Sequence, residues 1–184
     1  MALTNKTKYA LLGALSLSPM SGYDIKKFSD ISISHFWNEN YARIYPVLKE
    51  MAKEGLVTKI TTHTEGRPAR NIYSITHKGL EELNEWLLQP IQYRPPREEL
   101  LMKLFFASDV PVENLIGKIR AEKEKYQNLV EEFKHIESVI TTDNKTKNQK
   151  GLPLWLTTIN FGKCHGEAVI KWCNQTLKTL ETMK

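Results

Sequence analysis

Residues 40–79 read NYARIYPVLKEMAKEGLVTKITTHTEGRPARNIYSITHKG, and the order of patterns within them decides the fold. Ile44, Val47, Leu48 and Met51 fall on one face of a helix at about 100° per residue, which turns Tyr45, Lys49 and Lys53 the other way. One face is core; the other is free to touch a partner. Gly55 stands where a left-handed residue ends a helix, and Leu56 to Thr62 is a β-branched run that reads as a strand. Glu65-Gly66-Arg67-Pro68-Ala69-Arg70 supplies a basic turn, and residues 71–76 (NIYSIT) supply the strand back. Pro46 leaves the helix start open: either the helix begins nearer Ala42, with the proline in its first turn, or it kinks at the proline.

A short helix followed by a hairpin with a cationic tip is the outline of a winged helix-turn-helix. Taken in order, these residues resemble the PadR-type winged-helix transcriptional regulators. The resemblance rests on Tyr45-Pro46, Leu48, Gly55-Leu56-Val57, Gly66-Arg67-Pro68-Ala69-Arg70 and the run from Tyr73 to Gly79. No single piece is specific; their order and spacing are. It extends to Ser21-Gly22-Tyr23, which in that family opens a helix with the tyrosine near the DNA backbone. Longer family members add a C-terminal helical region that mediates dimerisation, and the length of 184 residues together with Phe36-Trp37 fits that subgroup. Residues 4–90 carry the resemblance in motif detail, and residues 97–182 carry it by architecture and a few residues.

Charge agrees with a polyanion partner. Of the 26 Lys+Arg and 21 Asp+Glu, residues 1–80 hold 11 basic and 6 acidic side chains, so the whole net charge of +5 lies there. Two cysteines, Cys164 and Cys173, make no disulfide framework and read as reduced thiols in a cytoplasmic protein. Nine residues apart on one helix they leave on opposite faces, about 900° round the axis. Lys6 and Lys8 before an apolar run faintly resemble a signal peptide, but the run is short and continues into a helix pattern. No stretch approaches the roughly 18 apolar residues that span a bilayer, so no membrane partner is expected.

Outward from the opening stretch, residues 4–18 read as a helix with Thr4 as N-cap and Leu11, Leu12, Ala14 and Leu15 inward. Ser21 and Asp24 have capping-box spacing and open a second helix with Ile25 and Phe28 inward. Phe36 and Trp37 are expected to pack under the recognition helix. Thr76 can cap a helix carrying Leu80, Leu83, Trp86 and Leu87. Pro90, Pro95 and Pro96 then mark a boundary between a DNA-binding domain at 1–90 and a helical dimerisation domain at 97–184. The expected class is mainly α with a small β-hairpin, an N-terminal winged helix-turn-helix followed by a C-terminal helical dimerisation arm.

Beyond the boundary, Leu100, Leu101, Leu104 and Phe105 are expected inward on a short helix, and Pro111 begins a long one. There Leu115, Ile119, Tyr126, Leu129, Phe133, Ile136 and Ile140 form a heptad seam, with Glu122 at the skipped position. The seam serves either packing within the chain or dimerisation. Residues 141–151 (TTDNKTKNQKG) are polar and without period, as in a mobile connector. A last helix from about Pro153 carries Gly162 and Gly166 one turn apart, a costly pairing that calls for another helix close by.

The expected DNA-binding residues are Tyr23, Tyr41, Arg43, Tyr45, Lys49, Arg67 and Arg70, with the helix residues at the major groove and the two wing arginines at the backbone or minor groove. On physics alone Tyr23 is more often a half-buried core aromatic, and Tyr45 can instead pack on its helix's flank. The resemblance implies a homodimer on operator DNA, often a repressor, with some members answering small aromatic molecules. Trp155, Phe161 and Trp172 are the candidate effector residues, alongside the plainer reading that aromatics at helical spacing are core. No metal ligands cluster, no phosphate-cradling glycine loop occurs, and Cys164 diverges from His165, so no metal, cofactor or enzymatic activity is expected. The competing reading keeps the fold as a protein-docking module whose basic face meets an acidic partner.

Overall fold

The computed structural model describes residues 6–37, 41–62, 69–92 and 97–183, with Tyr41 as backbone alone. Thr4 and residues 63–68 of the turn, Arg67 among them, lie outside the described residues. The chain divides into two compact units, residues 1–94 and 95–184.

The first unit runs α1 Lys6–Leu17, β1 Met20–Ser21, α2 Gly22–Ser32, α3 Tyr41–Lys53, β2 Val57–Thr62, β3 Arg70–Ile75 and α4 His77–Leu87. Its core takes Leu11, Leu12, Ala14 and Leu15 from α1, Ile25 from α2, and Ile44, Val47, Leu48 and Met51 from α3. Each leucine, isoleucine, valine or methionine among them, fully buried, stabilises the unit by about 1.5–3 kcal/mol. α3 ends as its sequence requires: Gly55 takes φ +74°, Leu56 N–H donates to Met51 O at 2.9 Å and Gly55 N–H to Ala52 O at 3.3 Å. Pro46 is the sixth residue of α3, in its second turn rather than its first.

The hairpin gains a third strand, in the order β1-β3-β2, all antiparallel. Met20 pairs with Tyr73 and Ser21 with Ile72, while Val57–Thr62 pair in reverse with Ile75–Arg70. Thr76 caps α4 by accepting from Gly79 N–H, and Tyr9 of α1 stacks on Trp86 of α4 at 4.5 Å and 6°. Leu83 is buried, whereas Leu80 and Leu87 face solvent. Phe36 is also exposed, so of the two aromatics before α3 only Trp37 is partly covered.

The second unit comprises α5 Glu99–Phe105, α6 Val112–Thr142 and α7 Leu152–Glu181. α6 and α7 form an antiparallel pair within the chain, with Leu115, Ile116 and Ile119 packing with Cys173 and Leu180 at one end. The seam includes Val130 as well as Phe133, while Tyr126, Leu129, Ile136 and Ile140 are half-buried. Gly162 and Gly166 are the close approach: a Cβ on Gly162 would overlap the Phe133 ring, and one on Gly166 would stand 2.5 Å from Val130 Cγ2. The polar connector folds into turns, with Thr146 Oγ1 donating to Ile140 O at 2.7 Å and Lys147 N–H to Asp143 O at 2.9 Å. On α5 the expectation fails for half the residues. Leu100 and Leu104 pack on the core, but Leu101 and Phe105 are exposed, because the four together span about 140° and only one i,i+4 stripe is covered. Among the described residues no helix is long and apolar enough to cross a membrane.

Candidate nucleic-acid interface

With Ile44, Leu48 and Met51 drawn inward, the opposite face of α3 carries Tyr45, Lys49 and Lys53 at successive turns. β2 adds Lys59, which pairs with Tyr73 across the sheet and shares a face with buried Val57 two residues before it. Together Tyr45, Lys49, Ala52, Lys53, Lys59 and Tyr73 line a groove of about 500 Å³. None of its three lysines has an ion-pair partner among the described residues. Three ammonium groups in one groove set a positive field suited to a polyanion. Lys53 and Lys59 lie outside the expected site residues, although the helix periodicity turns Lys53 outward; the signal for Lys59 is its alternation with Val57.

The expected residues fall into three groups. Arg43 and Lys49 are exposed on α3, and Tyr23 is 61% exposed in the first turn of α2, so it is not a core aromatic. Tyr45 is 43% exposed and also packs across elements, its ring lying where a Cβ on Gly22 would come within 2.7 Å. Tyr41 opens α3 with its side chain outside the described residues, as is all of Arg67.

Arg70 stands apart because its guanidinium is engaged. One Nη2 meets the Asp24 carboxylate and lies 3.3 Å from Ser21 Oγ. Asp24 Oδ2 also accepts from Ser21 N–H at 3.0 Å and Ser21 Oγ at 2.7 Å, completing the capping box foreseen at α2. Burial works to raise the Asp24 pKa, but the hydrogen bonds from Ser21 and Arg70 outweigh it and hold the carboxyl below its ordinary range. The start of α2 thus gathers Tyr23, Tyr45 and Arg70 from three separate elements.

The candidate effector residues are not gathered. Trp155 and Trp172 sit 17 residues apart on α7, about 26 Å along its axis, both half-buried against their own neighbours. Phe161 between them is 68% exposed and stacks over His165 at 6.1 Å, whose ring meets the edge of Tyr126 at 5.6 Å. Among the described residues no three His, Cys, Asp or Glu side chains could hold a metal ion.

Residues 11–85 match the Transcriptional regulator PadR-like family, and residues 96–181 match the Virulence activator alpha C-term family. The chain is 36% identical over 103 residues to the negative transcriptional regulator PadR of Bacillus subtilis, an alignment covering 55% of this chain and 56%, about half the length, of that relative. A probable transcriptional regulator of Mycobacterium tuberculosis is 25% identical over 183 residues, covering 94% of this chain and 96% of its own. The fold is similar to that of Bacillus subtilis PadR in complex with operator DNA, with TM-score 0.82 and 22% identity over 95% of this chain and 98% of that one. The same Bacillus protein has a structure with p-coumaric acid. The Vibrio cholerae virulence activator AphA is similar with TM-score 0.74 and 28% identity, over 96% and 99% of the two chains.

Proposed function

The chain belongs to the PadR-like family of transcriptional regulators, and from that premise we propose that it is a dimeric, sequence-specific DNA-binding regulator acting as a repressor. The observation that carries the reading is the groove between α3 and β2, where Lys49, Lys53 and Lys59 converge beside Tyr45 and Tyr73, with no ion-pair partner among the described residues. Tyr41, Arg43, Tyr45 and Lys49 serve the major groove and its adjoining phosphates, Tyr23 a phosphate at the start of α2, and Arg67 the backbone beside the wing. Lys53 and Lys59 extend the phosphate contacts. The work is binding, with no catalytic step, and it takes place in the cytoplasm where the DNA is.

Dimerisation is supported by the outer face of α5 and its C-cap, where Leu101, Met102, Phe105 and Phe106 are all exposed. Four large apolar side chains in so short a segment call for a cover, and a second copy supplies one with two-fold symmetry to match an inverted operator. For a small aromatic effector, the stacked Phe161 and His165 are a better platform than Trp155 or Trp172, and the p-coumaric acid complex of the Bacillus relative supports the ligand class.

Fluorescence anisotropy of duplexes tiling the DNA upstream of the protein's own gene, at two salt concentrations, tests the central reading. A tight complex on one tile that weakens steeply with salt, with inverted half-sites a whole number of helical turns apart, is the expected result. No binding to any tile at low salt would overturn it in favour of the protein-docking module.

A further inference from the structure

We propose that Arg70 is a positioning residue: through Asp24 it fixes the root of the wing to the start of α2, and it does not itself neutralise a phosphate. The proposal rests on the DNA-binding reading and deepens it. Arg70 pairs with Thr62 as the last rung of the β2–β3 ladder among the described residues, so it stands at the root of the hairpin. Thr62 Oγ1 donates to Arg70 O at 3.1 Å, holding the backbone there, while the guanidinium reaches the Ser21–Asp24 cap. The same junction is clamped from the other side by the Ser21–Ile72 rung between β1 and β3.

The charges argue for a fixed pair over a phosphate ligand. Asp24 Oδ2 is shared by three donors, and drawing Arg70 away to a phosphate would leave that carboxylate with Ser21 as its donor and its charge facing a polyanion. Lys49, Lys53 and Lys59 have no ion-pair partner among the described residues and can neutralise phosphates without uncovering a carboxylate. Tyr45 packs on Gly22 at the same cap, so one junction fixes the wing root, the recognition helix and Tyr23 relative to one another.

The test uses the full chain with Asp24→Asn, Arg70→Met, their combination and Arg70→Lys. Asparagine keeps an acceptor for the α2 cap, and methionine leaves the Ser21–Asp24 bonds intact. The first readout is hydrogen exchange in the free protein at the Met20 and Tyr73 amides of the β1–β3 seam, the Ser21 amide being held by Asp24 itself; the second is anisotropy on the operator tile across a salt series. Each single variant is expected to speed exchange at the β1–β3 seam and weaken the operator complex about tenfold, with the double variant no worse than either. Asp24→Asn weakens binding although it removes a negative charge, Arg70→Lys recovers part of the loss, and the salt slope is unchanged throughout. A slope that falls by about 0.9 in Arg70→Met, or an Asp24→Asn variant that binds more tightly, would overturn the proposal and make Arg70 a phosphate ligand with Asp24 its competitor. If the unaltered protein binds no duplex, the functional reading fails by itself and exchange decides alone. Unchanged exchange in both single variants sinks the positioning role; faster exchange in both sustains it.

Discussion

The carbonyl oxygen of Leu56 occupies the space that a Cβ on Gly79 would need. Gly79 lies in the first turn of α4, where its N–H meets Thr76 Oγ1 at 3.1 Å and Thr76 N–H meets the same Leu56 carbonyl at 3.0 Å. Glycine therefore lets α4 begin directly against the chain entering β2. Gly79→Ala is expected to cost about 1–3 kcal/mol, outweighing the roughly 1 kcal/mol that alanine gains in a helix. Gly117→Ala in α6, with nothing within 4 Å of its added Cβ, is expected to stabilise by up to about 1 kcal/mol. Urea unfolding at one fixed protein concentration compares them; shifts of the same sign would refute the packing account.

The Lys8–Glu82 pair, 2.6 Å apart, gives the first unit a pH signature. The hydrogen bond from Lys8 holds the Glu82 carboxyl below its ordinary pKa against the opposing effect of burial. Burial works to lower the Lys8 pKa, yet the bond to Glu82 and nearby charges raise it overall. Glu82's contribution is therefore complete above the ordinary glutamate value of about 4.3 and lost as pH falls through its lower folded pKa. That of Lys8 is complete below about 10.4 and lost as pH rises through its higher folded pKa. Glu82→Gln should make the acid limb of the urea midpoint shallower and also blunt the alkaline limb. An alkaline limb that keeps its full slope would show that Lys8 does not depend on Glu82.

Gly166 and Val130 should behave as a coupled pair. A Cβ on Gly166 stands 2.5 Å from Val130 Cγ2, so Gly166→Ala is expected to destabilise the α6–α7 pair by about 1–3 kcal/mol. Val130→Ala removes the methyl groups in the way and should by itself cost energy as a cavity. Combined, the two changes should cost less than their sum, by about 0.5 kcal/mol or more. Strict additivity in chemical unfolding would mean that the helices separate to admit the alanine without help from Val130.

What the sequence disclosed followed the range of the interaction. Ser21 and Asp24 are three residues apart, and both bonds of their capping box are present. The α3 stripe and the left-handed Gly55 are equally local and were equally legible. A two-residue strand such as β1 has no period of its own and exists only because Ile72 and Tyr73 lie beside it. Arg70 read as a free wing cation because its partner Asp24 is 46 residues away. The glycine pair in α7 announced a close neighbour without saying that α6 of the same chain would fill the place, and the two stripes of α5 needed the α6–α7 pair to decide which was covered.

Lys59 is the residue on which the groove is most exposed to refutation. It sits on a strand, opposite Tyr73 and across from Lys49 and Lys53, so its ammonium is presented by a paired backbone and not by a free loop. If the groove follows a DNA backbone, Lys59→Ala should weaken binding to every duplex by a similar factor and lower the salt slope by about 0.9, and Lys53→Ala should do the same. Arg43→Ala should differ in kind: as a base-reading side chain it would cost about 1–3 kcal/mol on the operator and far less on unrelated DNA, relaxing the preference at one position. Salt titrations on an operator tile and a scrambled tile separate the two patterns. A Lys59→Ala variant with wild-type slope on both would remove β2 from the interface and confine DNA contact on this side to α3.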